Sequence, residues 1–307
     1  MPYYVKTFEW HALLLNLKPV VFLEYGPGEE KSVKALAPVY AAHGLKYAYW
    51  NMRAEPLARY KDTRNRRSFC GLFLSRKTEL IDRLIAAYQN DDTLRIGRLL
   101  GYPACCAEYM AGKLARDPEV GLCVSNNAMA AGLPVSPGAI KLYSPEMNFL
   151  SHYDGRISGR ELLKLPAFAR IFSKLFPFTL TDHLPCSLSC RKSAARGRLV
   201  SAVIKKADPG WHSEALDLNG SPVLYLDNFR FYILKGTGTF GEIKFSGIRF
   251  ATETSSRLHL ALKRAGKIRR LGRRIALFSG NTEIFSFNHE EKRPALLPFS
   301  RESAGAL

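Results

Sequence analysis

Val20–Trp50 reads VVFLEYGPGEEKSVKALAPVYAAHGLKYAYW. The apolar run Val20 to Tyr25 has the length of a buried strand and is stopped by Gly26-Pro27-Gly28. Glu29 to His43 follows with Val33, Leu36, Ala37 and Tyr40 at helical spacing, and Gly44 stands where a helix would end. Leu45 to Trp50 is a second strand. Strand, helix and strand in succession predict a small α/β unit with a parallel sheet. Phe69 to Leu74 adds a third strand beyond the basic loop Arg59 to Arg67. Thr78 to Tyr88 adds an amphipathic helix with Leu80, Ile81, Leu84, Ile85 and Tyr88 on one face. The turn Glu24 to Gly28 lies where nucleotide- and S-adenosylmethionine-binding turns lie. It lacks their third glycine, and the second strand runs out at Asn51, where such sites carry an acid. An ordinary strand-to-helix turn is the preferred reading, since a lone glycine-rich turn is weak evidence for a cofactor site.

Further along, the pattern turns helical and then to strands. Asp92 to Leu100, capped by Asp91 or Asp92, is a helix that delivers the chain to Gly101. Pro103 restarts a helix through Ala115. Asp117 to Gly159 is rich in Gly, Pro, Ser and Asn and reads as irregular. Glu161 to Leu175 and a last segment from Pro185 to about Lys206 are helical. After Asp208-Pro209-Gly210, Val223 to Leu226 and Phe229 to Leu234 flank the turn signal Asp227-Asn228. Gly241 to Phe250 is a further strand, and Ile275 to Phe278 and Glu283 to Phe287 flank Ser279-Gly280-Asn281. About five antiparallel strands are expected, with a frayed tail after His289. The expected class is α+β: an α/β unit at 1–91, a helical cysteine-bearing region at 92–210, and a small β domain with a basic segment at 211–307.

The 307 residues are 47% apolar, ordinary for a globular protein, and carry a formal charge of +18. No apolar stretch reaches the ~18 residues of a transmembrane helix. The N-terminus lacks the basic segment, apolar run and small-residue cleavage site of a signal peptide, so a cytoplasmic protein is expected. In a reducing compartment, clustered thiols read as ligands or redox groups before they read as disulfides. The charge, with Arg257–Arg274 as its densest segment, favours an anionic partner such as RNA, DNA, a phosphorylated substrate or an anionic membrane surface, or simply solubility.

Four of the six cysteines fall in two motifs, Gly-Tyr-Pro-Ala-Cys-Cys at Gly101–Cys106 and His-Leu-Pro-Cys-Ser-Leu-Ser-Cys at His183–Cys190. Each sets a proline just before thiols at an expected helix start. There, unpaired backbone N–H groups and the helix dipole suit an anionic ligand atom. Cys186 and Cys190, four apart, would share one helical face. Cys105 and Cys106 are adjacent and would diverge by ~100° in a regular helix. A vicinal pair of this kind favours an iron–sulfur cluster over zinc, because a cluster accepts ligands over a wider span. His183 is a fifth candidate ligand, a residue that orients one, or a loop histidine with no role at the site. A redox-active pair and four unrelated buried cysteines are the competing readings. Cys70 reads as a buried strand residue, and Cys123, in a loop, as a spare ligand. The chain has no CxxxCxxC of radical-SAM type and no CxxC pair of the zinc-ribbon or thioredoxin kind.

The motifs GYPxCC and HxPCSxxC, with the preceding Gly97 to Leu100, resemble the signatures of an uncharacterised prokaryotic family of unknown function. The resemblance covers about Phe73 to Ser193, with a weak extension around Pro222 to Gly247. It marks Gly101, Tyr102, Pro103, Cys105, Cys106, His183, Pro185, Cys186, Ser187 and Cys190, and implies a shared thiol site.

Two functions are therefore expected to compete. The first is an iron–sulfur- or metal-binding enzyme or maturation factor using Cys105, Cys106, Cys186 and Cys190. The second is a nucleic-acid-binding protein with a structural zinc site. Its basic surface would be Arg257–Arg274, which holds eight Lys and Arg and no acid. Leu258, Leu262, Ala265, Ile268 and Leu271 give that segment a helical stripe, and alternation at Leu258, Leu260 and Leu262 also permits a strand. A shared centre would be ruled out by sulfurs more than ~8 Å apart, given metal–sulfur bonds of ~2.3 Å.

Overall fold

A computed structural model of the chain describes residues 8–25, 30–51, 70–116, 144–147, 180–181, 183, 185–187, 189–226, 230–289 and 296–299. The Gly26–Gly28 turn, the Arg59–Arg67 loop, Cys123, the Glu161–Leu175 helix and the Asp227-Asn228 turn lie outside these residues. The chain forms two compact units, Met1–Pro118 and Glu119–Leu307. The first is a small α/β unit that runs into helices, and the second carries helices and an antiparallel sheet.

In the first unit β1 (Val20–Tyr25), β2 (Lys46–Asn51) and β3 (Cys70–Ser75) form a sheet in the order β1-β3-β2. Val20 and Lys46 both face Ser75, so β1 and β2 point the same way, as a strand–helix–strand unit requires. They are not neighbours, however. β3 runs between them and antiparallel to both, so the parallel sheet expected from the sequence is replaced by two antiparallel ladders. Period-2 patterning sets which face a side chain takes and leaves strand order open.

Both faces of this sheet are covered, which is why its strands are nearly continuous apolar runs. On one side Val21, Leu72 and Leu74 pack with Trp10 and Leu13 of α1 (Phe8–Leu14), Val33 of α2 (Glu30–Lys34) and Tyr40 of α3 (Ala37–Ala42). On the other, Val20 and Phe73 pack with Ile81, Leu84, Ala87 and Tyr88 of α4 (Thr78–Gln89) and Ile96 and Leu99 of α5 (Thr93–Leu99). Gly71 lets the rings in: a Cβ there would lie 2.4 Å from Phe22. The single helix expected over Glu29–His43 is divided into α2 and α3. Pro38, near the start of α3, has no N–H for a bond back to Lys34. Asp92 caps α5 by accepting from the Arg95 N–H at 3.0 Å, and α6 (Ala104–Arg116) follows.

The second unit contains a 3₁₀ turn at Pro145–Met147, helices α7 (Arg191–Ala207), α8 (Pro209–Asn219) and α9 (Arg257–Arg264), and a seven-stranded antiparallel sheet. The strands are β4 (Val223–Tyr225), β5 (Phe231–Gly238), β6 (Glu242–Ala251), β7 (Lys267–Leu271), β8 (Arg274–Ser279), β9 (Thr282–Asn288) and β10 (Leu296–Leu297), in the order β10-β4-β5-β6-β7-β8-β9. Leu258 and Leu262 of α9 enter the core formed by Tyr232, Leu234, Ile243, Ile268, Ile275 and Leu277.

Four sequence expectations change here. The last helix of the middle region starts at Arg191 and not at Pro185. The sheet has seven strands where the sequence predicts about five, and it is preceded by α8, in which Asp208 accepts from the Trp211 N–H at 3.0 Å and Pro209 occupies a first-turn position. Leu296 and Leu297 pair with β4 and are buried, so that part of the tail is not frayed. The basic stretch Arg257–Arg274 is not one helix. It ends α9 at Arg264 and becomes β7 after Gly266, whose N–H bonds Phe278 O at 2.9 Å. Ile268 and Leu262 then reach the same core from two different elements, while Leu271 is exposed. Among the described residues, no helix is long and apolar enough to cross a membrane.

Candidate metal centre

The first pair of thiols is aimed by backbone geometry. At the end of α5, Gly101 has φ +75°, the left-handed conformation that glycine adopts freely. Its N–H bonds Arg98 O at 3.0 Å and the Tyr102 N–H bonds Gly97 O at 2.9 Å. This pair of bonds is a Schellman cap, which reverses the chain direction after a helix. Tyr102 then packs near Gly97, and the Lys18 ammonium lies 5.6 Å from its ring centre. Lys18 is itself buried and paired with Glu9 at 3.2 Å. A Cβ on Gly97 would come within 3.0 Å of the Ala107 Cβ, so α5 and α6 touch closely at this point. Pro103 accepts from the N–H groups of Cys106 (2.8 Å) and Ala107 (3.0 Å), which places Cys105 and Cys106 in the first turn of α6. Their sulfurs are 3.9 Å apart.

The second pair sits on a different scaffold from the one expected. Cys190 is the N-cap residue of α7 (φ −66°, ψ 102°), and its N–H bonds Ser187 O at 3.2 Å. Cys186 precedes the helix in non-helical backbone, so the two thiols do not share a helical face. The segment is held by His183, which is 3% exposed. Its Nδ1 is 3.1 Å from Thr181 Oγ1, and its Nε2 is 2.8 Å from Ser193 Oγ on the first turn of α7. Both ring nitrogens are thereby engaged with hydroxyls. Further along α7, Gly197 has no room for a side chain, since a Cβ would lie 2.3 Å from Glu146 O.

The sulfurs of Cys105, Cys106, Cys186 and Cys190 all lie within 4.8 Å of one another. Cys106 and Cys190 are buried, Cys105 and Cys186 are partly exposed, and none of the four is in a disulfide. His183 is not in this group, and among the described residues no other set of His, Cys, Asp or Glu comes together in the same way. Cys70 pairs with Tyr25 and Asn51 inside the first unit's sheet. The sequence singled out the four thiols and His183. It missed Thr181 and Ser193, whose roles depend on where the His183 ring points and have no motif of their own.

The basic residues of Arg257–Arg274 are dispersed over α9, β7 and β8. Arg269 is paired with Glu242, and Arg274 with Glu283 at 2.9 Å. The Arg269 side chain holds the Glu242 carboxyl below the usual carboxylate range, with Lys244 and Lys267 adding to the effect. No protein-family model matches the chain, and neither does any curated protein or solved structure.

Proposed function

We propose that the protein binds one metal ion, zinc, through the thiolates of Cys105, Cys106, Cys186 and Cys190. The observation that carries this reading is the mutual distance of the four sulfurs, none above 4.8 Å. A tetrahedral ion with 2.3 Å bonds needs ligand sulfurs about 3.8 Å apart. The vicinal pair is already at 3.9 Å. Even a tetrahedron with every edge at the upper limit would need each sulfur to move inward by only about 0.6 Å to reach bonding distance. The sulfurs that ligate a four-iron cluster must stand about 6 Å apart, because inorganic sulfide separates the irons. This spacing favours the single ion over the iron–sulfur cluster that the adjacent cysteines suggest from sequence.

Four thiolates leave zinc no open position, so the ion acts structurally, fixing two stretches of chain that are remote in sequence. His183 acts as a positioning residue: with its nitrogens on Thr181 and Ser193, it orients the Cys186–Cys190 segment. The four positions are the cysteines of the GYPxCC and HxPCSxxC motifs of this chain.

Anaerobic purification followed by metal analysis and an absorption spectrum tests the proposal. A colourless protein with one zinc per chain, lost in Cys186→Ala and in Cys106→Ala, is expected. Iron with acid-labile sulfide and a brown chromophore would replace zinc by the cluster reading and restore a redox enzyme or maturation factor as the leading function. A metal-free protein with four freely titrating thiols would remove the centre altogether.

A further inference from the structure

A second feature lies in the β domain and uses none of the thiols. Lys235 of β5, Lys244 of β6 and Lys267 of β7 line one open groove of about 570 Å³, together with Thr237, Ser246 and Gly266. Among the described residues, no acidic side chain lines it. Lys244 and Lys267 are register partners on neighbouring strands. Like charges directly opposite one another weaken a sheet. The same ladder shows the alternative two residues away, where Glu242 faces Arg269 and pairs with it. Glu242 is paired with Arg269 and also feels Lys244 and Lys267, so one carboxylate is shared among three cations and the ladder keeps an excess of positive charge.

The groove is shaped by glycine. Gly236 sits at an irregularity in the β5–β6 ladder, where a Cβ would lie 2.0 Å from Lys244 O. Such a break twists the strand and opens the surface. Gly266 adds no side chain, and a Cβ built there would find its nearest neighbour only at 3.7 Å. An excess of cations over glycine-lined backbone suits an anion that approaches closely.

We propose that this groove binds the phosphodiester backbone of single-stranded nucleic acid, with Lys235, Lys244 and Lys267 taking the phosphates. Three strands span two interstrand spacings, about 10 Å, which accommodates one strand but not the ~20 Å rod of a duplex. Its open form suits a polymer more than an enclosed small anion. Among the described residues that line the groove, none presents an aromatic face for base stacking. Phe245 is 7% exposed, and the Phe278 ring is already covered by Lys267 at 5.1 Å and Arg269 at 5.8 Å. Contact is therefore with the backbone and independent of sequence. The site relocates the anion-binding surface from the whole of Arg257–Arg274 to the faces of β5, β6 and β7.

Fluorescence anisotropy of the full-length protein with labelled 20-nucleotide oligo(dT) and oligo(U), over a salt series, tests this. Binding should weaken with salt. Lys244→Ala/Lys267→Ala should lower affinity at least about tenfold and flatten the log–log salt slope by about 1.4, at ~0.7 per single-strand phosphate contact. Lys244→Arg/Lys267→Arg, which keeps the charge, should retain binding. Lys205→Ala/Lys206→Ala, which removes equal charge from exposed positions at the end of α7, should leave the slope unchanged. Melting temperature should not fall in Lys244→Ala/Lys267→Ala, which separates lost binding from lost folding. The proposal is overturned by equal losses in the two double Ala variants, by a duplex of the same length binding as tightly, by displacement with millimolar inorganic phosphate at constant ionic strength, or by no binding at 50 mM salt.

Discussion

Gly101→Ala provides a quantitative test of how the first thiol pair is aimed. Gly101 has φ +75° and closes the cap between α5 and the segment leading to Cys105. An L-residue held in left-handed backbone costs roughly 1–2 kcal/mol. The control is Gly112, exposed inside α6, where a Cβ meets nothing within 4 Å. Alanine there should stabilise by about 0.4–1 kcal/mol, because it reduces the freedom of the unfolded chain. The same chemical change thus carries opposite signs at positions eleven residues apart. In a unit of this size, 1 kcal/mol corresponds to about 4–8 °C. Gly101→Ala should therefore lower the melting midpoint by about 4–15 °C, and Gly112→Ala should raise it by a few degrees. Gly101→Asn should fall between Gly101→Ala and the parent, since asparagine tolerates this conformation. Urea titration in a Trp211→Phe background, followed by Trp10 and Trp50, reads the first unit alone. If Gly101→Ala is as stable as Gly112→Ala, the cap does not direct the chain into the thiol turn, and the account of the motif's glycine fails.

Three further outcomes follow from named contacts. Chelation of the proposed zinc should expose four titratable thiols and lower the melting temperature, with a loss of about 2.7 kcal/mol expected on removing ligand from a hundredfold excess over Kd; an unchanged melting curve would show that the ion is not structural. His183→Ala should keep stoichiometric zinc, as metal analysis would show. It should also destabilise the protein by about 1–3 kcal/mol, because Thr181 and Ser193 lose a buried partner. Loss of the metal would instead make His183 a ligand. His259, buried in contact with Tyr232, has its pKa lowered by desolvation and then by Lys263, against a smaller opposing effect of Glu253. The unfolded chain therefore takes up a proton near pH 6.5 before the folded one does, so this contribution is present above pH 6.5 and is lost on acidification below it. His259→Gln should flatten the fall in unfolding free energy between pH 6.5 and 5, measured by urea titration; an unaltered slope would refute the assignment.

Much of the local structure was legible because it depends on short stretches. The Asp92 cap, the Gly44 stop and the strands at Val20–Tyr25 and Cys70–Ser75 each rest on a few neighbouring residues. Where several causes compete over the same stretch, the sequence misled. Glu29–His43 carries the spacing of one helix, yet Pro38 lacks the N–H that would continue the ladder and the stretch is divided into α2 and α3. Lys267–Leu271 carries three cations and one core residue, Ile268, so nothing in its own pattern marks a strand. Its partners β6 and β8 supply the reason for it to be one. Pro185 also has the features of a helix opener, but the helix waits for Cys190.

The sequence by itself determined which groups are available: two thiol pairs behind prolines, a glycine able to turn left-handed, a histidine beside them and an excess of cations. Local bonding along the chain is enough to establish these, since a cap or a turn closes over a handful of residues. Only the tertiary structure decided that four sulfurs from remote stretches stand within 4.8 Å, and that three lysines from separate strands share one groove. Distances of that kind come from packing and strand register, which no run of neighbouring residues encodes.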